Sequence, residues 1–123
     1  MSKMTIIQDV MRNGFDMSEI EWTAWVEPGR QGVEHHVLWG PDADSGEDSV
    51  GLLLRFPPGA HGDFHEHLGY ELMLVLDGSL DHSDGQSFGR GTLVVEEPGS
   101  EHQMSSAAGC TVLAIRTRPA RAK

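Results

Sequence analysis

The stretch "HGDFHEHLGYELMLVLDG", residues 61–78, holds three of the chain's seven histidines. His65 and His67 are two apart, and Glu71 follows four residues later. Residues two apart in a strand point to the same face, so the two imidazoles would project side by side. The "LG" at 68–69 is expected to turn the chain, which brings Glu71 in from the adjoining strand. Two imidazoles and a carboxylate from one hairpin suit zinc, iron, manganese, nickel or copper. The alternative is ordinary: histidines in strands are often surface residues or satisfied core polar groups. His102, in "PGSEHQM", is a candidate fourth ligand from a separate hairpin.

The text around this stretch reads as β. "IEWTAWV" (20–26), "GVEHHVLW" (32–39), "VGLLLRF" (50–56), "YELMLVLDG" (70–78), "TLVVEE" (92–97) and "CTVLAIRTR" (110–118) are short runs rich in aromatic and β-branched residues. Gly, Pro, Asp and Ser clusters break them, among them "EPGRQG", "PPG" and a turn at "HSDG" (82–85). The acidic stretch "PDADSGEDS" (41–49) is expected as an exposed loop. No long helical pattern separates the runs, so an antiparallel sandwich or barrel is expected rather than βαβ units. The first residues are ambiguous: "MTIIQDVMRNG" can make two helical turns closed by Gly14, or a short edge strand.

Composition bounds the rest. At 123 residues the chain suits one domain, and 38% hydrophobic content suffices for one core. The net charge is −10, and four of nine basic residues (Arg116, Arg118, Arg121, Lys123) fall in the last eight positions. The other 115 residues carry 5 basic and 19 acidic side chains, a body that repels a phosphate backbone. Nucleic-acid binding is therefore not expected, and the basic end is expected to be a solvated, mobile tail. No apolar run approaches the roughly 20 residues that span a bilayer, so no membrane insertion is expected. The N-terminus lacks a secretory signal, and a cytoplasmic location is the default. A single cysteine, Cys110, excludes an intrachain disulfide framework and is expected as core filler.

The glycines around the ligand candidates carry a resemblance. A Gly, five residues, His-x-His, three or four residues, Glu, six residues and Gly is the first motif of the cupin superfamily, met here by Gly59, His65, His67, Glu71 and Gly78. Gly59 would turn the chain into the ligand strand, and Gly78 would allow the tight turn ending the hairpin. The second motif is matched by Gly91, Gly99 and His102 in "GTLVVEEPGSEHQMSS"; Glu97 stands in place of the usual Pro and Ser106 in place of Asn. The wording around the N-terminal tryptophans, with "LLLRFPPGA" and the later "PGSEH", resembles the ChrR-type branch. That branch holds the C-terminal domain of an anti-sigma factor and acetylacetone-cleaving dioxygenases.

The resemblance implies an all-β cupin jelly-roll barrel over residues 20–117, with a 1–19 extension and a 118–123 basic tail. It implies metal ligation by His65, His67, Glu71 and His102, with one divalent transition metal (iron, zinc, manganese or nickel) as cofactor. Two positions would stay open for a small-molecule ligand. The expected function is an enzyme on a small organic oxygen ligand, of dioxygenase, isomerase or lyase class. The alternative is a non-catalytic sensor or regulatory module. Direct sigma-factor sequestration is not expected, because few residues and no cysteine precede the first cupin-like strand. A homodimer is expected from the family and from the tryptophan-rich strands.

The remaining polar residues are weighed by position. His61 shares parity with His65 but is assigned to the loop after Pro57-Pro58; of His35 and His36, at most one faces inward; His82, at a turn, is expected to be exposed. Met73, Val75 and Met104 are expected in the barrel interior. One of Glu96 and Glu97 is expected to face inward near the metal. Near the motifs the only basic residues are Arg55 and Arg90, which argues against phosphosugars.

Overall fold

The computed structural model describes residues 3–11, 20–26 and 29–122. Among them there is no helix, and the chain forms twelve strands. In chain order these are β1 (Thr23–Ala24), β2 (Glu34–Trp39), β3 (Val50–Phe56), β4 (Ala60–His61), β5 (His65–Glu66) and β6 (Glu71–His82). Then come β7 (Ser87–Gly89), β8 (Leu93–Glu96), β9 (Glu101–His102), β10 (Met104–Ser106), β11 (Cys110–Arg116) and β12 (Arg121–Ala122). One sheet runs β1-β2-β3-β11-β6-β10-β4, with β7 and β8 also on β6; a second runs β12-β5-β9. Every strand pair is antiparallel, as the strand rhythm predicts. The all-β class and the curled jelly-roll architecture expected from the sequence are those of the structure.

Strand β6 organises the barrel. Its first half pairs with β11 and β8, its second half with β10 and β7. The change of partners comes at Gly78, where φ is +78°, and two residues earlier, at Leu76, the register with β11 slips by one residue. Such a bulge bends a strand and sharpens its twist. Gly78 therefore does not end the hairpin, as the motif suggested; it kinks a strand that continues to His82, and the turn lies at 83–86. A Cβ there would lie 2.0 Å from the Gly109 carbonyl oxygen, so only glycine fits. Gly59 does turn the chain, with φ +87° and open space around it.

Alternation along the strands fills the interior with Leu52, Leu54, Phe56, Met73, Val75, Leu80, Met104, Val112 and Ala114. Cys110 joins that core, as expected of a filler. The unbroken "LLL" of β3 has a second cause: Leu53 points outward, yet Ile20, Ile7, Val10, Met11 and Trp22 pack over it and Leu76. Strands buried on both faces lose their alternation. Residues 3–11 form neither helix nor strand and serve as part of this cover; Gly14, the expected helix stop, lies outside the described residues.

The acidic stretch at 41–49 is an exposed turn closed by the Asp42–Glu47 bridge. The basic end differs from the expected solvated arm. Arg121–Ala122 pair with β5, and Arg116 closes β11 with only 7% of its surface exposed.

Candidate metal centre

The ligand candidates converge because of register. His65 and His102 are directly opposite on β5 and β9. His67 leaves β5 with its backbone tied to Ser100 and Gly99 of the second motif. The chain turns at 68–69 and Glu71 opens β6, as read from "LG". The donor atoms of His65, His67, Glu71 and His102 all lie within 4.8 Å of one another, and all four residues are buried. The three rings stand nearly edge to face, with centroids 4.4–5.1 Å apart.

Hydrogen bonds at the outer nitrogens decide which ring nitrogen faces inward. His65 Nδ1 donates to the Asp63 carbonyl at 3.1 Å. Ser100 Oγ gives its proton to the Glu97 carbonyl at 2.7 Å, so it accepts from His67 Nδ1 at 2.8 Å. His102 Nδ1 meets the Glu96 carboxylate. With Nδ1 of His65 and of His67 on acceptors, and that of His102 against Glu96 without a hydrogen-bond partner, all three Nε2 atoms face the cluster.

Three imidazole nitrogens and a carboxylate crowd together this closely only with protons or a cation among them. His67 Nε2 is 2.8 Å from Glu71 Oε1, and His102 Nε2 is 3.5 Å from the same oxygen. His65 Nε2 is buried and has no hydrogen-bond partner. A protonated ring satisfies one of these contacts; a divalent ion satisfies all four. The donor set therefore fits a metal of the zinc, iron, manganese or nickel kind. Its tautomers are fixed from behind in the way metal-ligating histidines usually are.

Glu71 is held as an anion. Burial works to raise its carboxyl pKa, but Arg116, with hydrogen bonds from His67 and Arg116, outweighs burial and keeps it well below the usual range. Arg116 is its cross-strand partner on β11 and donates Nε–H to Oε2. On the other side of Glu71 stands its β8 partner Glu96. Burial likewise acts to raise Glu96, and hydrogen bonds from His102 and His82 win and lower it. Burial, reinforced by His102 and Arg116, pushes the His65 pKa down to about 4.

Beside the cluster lies a cavity of only about 20 Å³, whose apolar wall includes Met73, Met104, Leu54 and Val112. Trp25, Arg30, Asp63 and Arg116 line both this pocket and an outer one that opens past His35 and Pro119. Arg30 pairs with Asp63 at 3.0 Å and lies over the Trp25 ring at 3.4 Å. Trp25 also stacks on His35 at 5.0 Å. These side chains are the wall between the site and the outside.

Other sequence expectations resolve as follows. Of the two adjacent glutamates, Glu96 faces inward and Glu97 is exposed. His61 sits outside the cluster in β4, its Nδ1 on the Gly62 carbonyl. His35 and His36 are both half-buried, and only His35 lines the outer pocket. His82 is not exposed: its side chain, 10% accessible, folds back so that Nε2 reaches Glu96 Oε1 at 3.0 Å. Ser106, in the place of the motif Asn, is fully buried and donates Oγ–H to the Ser79 carbonyl.

Sequence reasoning overlooked Arg30, Asp63, Ser100 and the inward role of Arg116. Arg116 shares parity with Cys110, Val112 and Ala114, which is the signal that could have found it. Arg30 and Asp63 lie in breaker segments with no such periodicity.

The fold and the four-residue cluster define a small cupin with a potential metal centre. The profile of the ChrR Cupin-like domain matches residues 11–119, and the chain belongs to that family. The comparison with curated proteins found no match. Among solved structures it is similar to the anti-sigma factor ChrR in complex with SigE from Rhodobacter sphaeroides: 25% identity and TM-score 0.65, over 84% of this chain and 52% of that one. The chain thus spans about half of that protein. It is similar to the polyketide cyclase RemF from Streptomyces resistomycificus, with 21% identity and TM-score 0.70 over 87% and 82% of the two chains. It is also similar to an acetylacetone dioxygenase from Acinetobacter johnsonii, with 13% identity and TM-score 0.75 over 98% and 76%. The last two likenesses concern the fold. No helix among the described residues is long and apolar enough to cross a membrane.

Proposed function

We propose that the protein is a metal-dependent cupin in which His65, His67, Glu71 and His102 hold one divalent transition metal and present a small organic oxygen ligand to it. The observation that carries this is the clustering of three imidazole nitrogens and one carboxylate oxygen within 4.8 Å of one another, with His65 Nε2 buried and unpartnered. A metal bound there would supply Lewis-acid polarisation of a carbonyl or enolate oxygen, or redox chemistry if it is iron.

The chain's own residues define what reaches it. The apolar wall of Met73, Leu54 and Met104 faces the side of the cluster where the hydrocarbon part of a ligand would lie, and the space of about 20 Å³ there must widen to admit one. Trp25, Arg30 and Asp63 bar larger molecules. Arg30 and Arg116 are nearer the site than the sequence suggested, but each is paired with a carboxylate, Asp63 or Glu71. That pairing supports the exclusion of phosphosugars, which need uncompensated cations. The reaction class that fits is oxygenase, isomerase or lyase.

A regulatory module that binds metal and ligand without turnover is the second reading. The tightness of the Trp25–Arg30–Asp63 wall favours it, because turnover requires passage through that wall. Metal content of untagged protein, followed by oxygen uptake with diketones and thiols, separates the two. Iron with substrate-dependent uptake supports the oxygenase, and zinc without turnover supports the module. Absence of any transition metal would sink both.

A homodimer in the cytoplasm completes the proposal. Trp25 is engaged with Arg30 and His35 within the protomer, so the partner surface is better sought on β8. There Leu93 and Val95, 57% and 56% exposed, extend the apolar outer face formed by Leu72 and Leu74. Light scattering of wild type and Val95→Glu tests this: one dimeric and one monomeric species are expected, and a monomeric wild type refutes it.

A further inference from the structure

A second set of donors stands behind the first. His82, Glu96 and His102 also place donor atoms within 4.8 Å of one another, and neither His82 nor Glu96 is among the four ligand candidates. Glu96 Oε2 stands in ion-pair contact with His102 Nδ1, and neither atom has another partner; Glu96 Oε1 meets His82 Nε2 at 3.0 Å. His82 Nδ1 has both the Asp84 amide N–H and an Asp84 carboxylate oxygen at 3.0 Å. The Asp84 amide N–H donates to Nδ1, so the neutral ring carries its proton on Nε2, which faces Glu96.

We propose that Glu96, held by His82, is a positioning residue that fixes His102 as the Nδ1–H tautomer and so aims its Nε2 at the cluster. This rests on the reading that the cluster takes a metal. Glu96 has the reach for this role because it is the β8 cross-strand partner of Glu71, and so enters from the flank opposite Arg116. A carboxylate behind a ligating imidazole raises the basicity of the ring and locks its orientation, and loss of such a partner costs about 10- to 100-fold in metal affinity. The same three residues do not suit a second ion. His102 would have to surrender both ring protons to serve two metals, whereas one proton between Nδ1 and Glu96 satisfies both atoms. His65 Nδ1 is held by the Asp63 carbonyl, with the Asp63 carboxylate 3.5 Å away, and His67 Nδ1 by the Ser100 hydroxyl; the carboxylate behind His102 is the one linked through His82 to the surface turn at 83–86.

Two measurements on the full chain test this. Zinc affinity is read by competition with a chromophoric chelator, for wild type, Glu96→Gln and Glu96→Ala. The ring-nitrogen tautomers of His102 and His65 are read by 15N NMR of the metal-free proteins. The expected result is one zinc per wild-type chain, with affinity about 10- to 100-fold weaker in Glu96→Ala and intermediate in Glu96→Gln. His102 should lose its single Nδ1–H tautomer in Glu96→Ala while His65, tied to the Asp63 backbone, keeps its own. An unchanged His102 tautomer in Glu96→Ala would overturn the proposal, and so would a second zinc that needs Glu96. If wild type takes no zinc but the His102 tautomer depends on Glu96, the metal reading fails and the positioning role stands.

Discussion

His65 and His102 face each other as cross-strand partners, with ring centroids 4.4 Å apart, although 37 residues of sequence separate them. Their pairing joins the two sequence motifs, and one nitrogen of the pair, His65 Nε2, has no partner of its own. A buried polar atom without a partner costs stability when nothing is bound. His65→Ala should therefore leave the metal-free protein as stable as wild type or slightly more so. The same change should weaken zinc binding by more than about 100-fold, beyond the range of an outer-partner loss. Melting curves of metal-free protein and a chelator competition check the two halves.

Acid should destabilise the metal-free protein in a defined window. The folded-state pKa of His65, about 4, lies below the ordinary histidine value of 6.5. Between those values the unfolded chain binds the proton that the folded chain refuses, so stability falls as pH drops from 6.5 toward 4. Glu71 acts in the same direction at lower pH, because its depressed pKa contributes stability that is lost as protonation sets in below 4.5. Urea midpoints at pH 7.5 and 5 should show the first loss. A midpoint that rises on acidification contradicts it.

Glu71 and Arg116 form a buried ion pair in which each partner is less than 10% exposed. Removing the cation alone strands a buried carboxylate. Arg116→Met should cost about 3–5 kcal/mol in the metal-free protein, whereas Arg116→Met with Glu71→Gln should recover much of that loss. Equilibrium denaturation of the single and double variants measures the difference. Equal stabilities would mean that the pair contributes nothing.

How much of this was legible beforehand follows from the range of each signal. The barrel was legible because strand period and turn residues are local. The four clustered residues were legible because parity fixed the facing of His65 and His67, and the glycine spacing placed Glu71 and His102. What surrounds them was not. Arg116 meets Glu71 across a register that joins positions 45 apart, and its neighbours Arg118 and Arg121 made it look like part of a charged tail. His82 sits beside a turn, where exposure is the rule, and only the fold shows that it reaches back to Glu96. Gly78 was correctly marked as special, but its role inside β6, beside the bulge at Leu76, depends on where Gly109 lies.

The two motif glycines should accordingly respond differently to a methyl group. Both have positive φ, which costs an L-residue about 1–2 kcal/mol. Around Gly59 nothing lies within 4 Å, so Gly59→Ala should cost only about that much. At Gly78 the added carbon meets the Gly109 carbonyl oxygen at 2.0 Å, so backbone must move. Gly78→Ala should cost more than Gly59→Ala by at least about 1–3 kcal/mol, an overpacking penalty on top of the backbone strain. Urea denaturation of the two variants side by side tests the ranking, and equal losses would refute the close approach of Gly109 to Gly78.

Cys110 offers a test of the core that is independent of any metal. It is buried at the start of β11, opposite Phe56 and Gly78, and burial pushes its thiol pKa up to about 12. Thiolate is the reactive species, so at pH 8 the folded protein should resist alkylation by iodoacetamide. Labelling should instead follow unfolding, appearing across the same urea range as the loss of β-sheet circular dichroism. Rapid labelling in the absence of denaturant would show that the interior between β3, β11 and β6 opens far more readily than its packing implies.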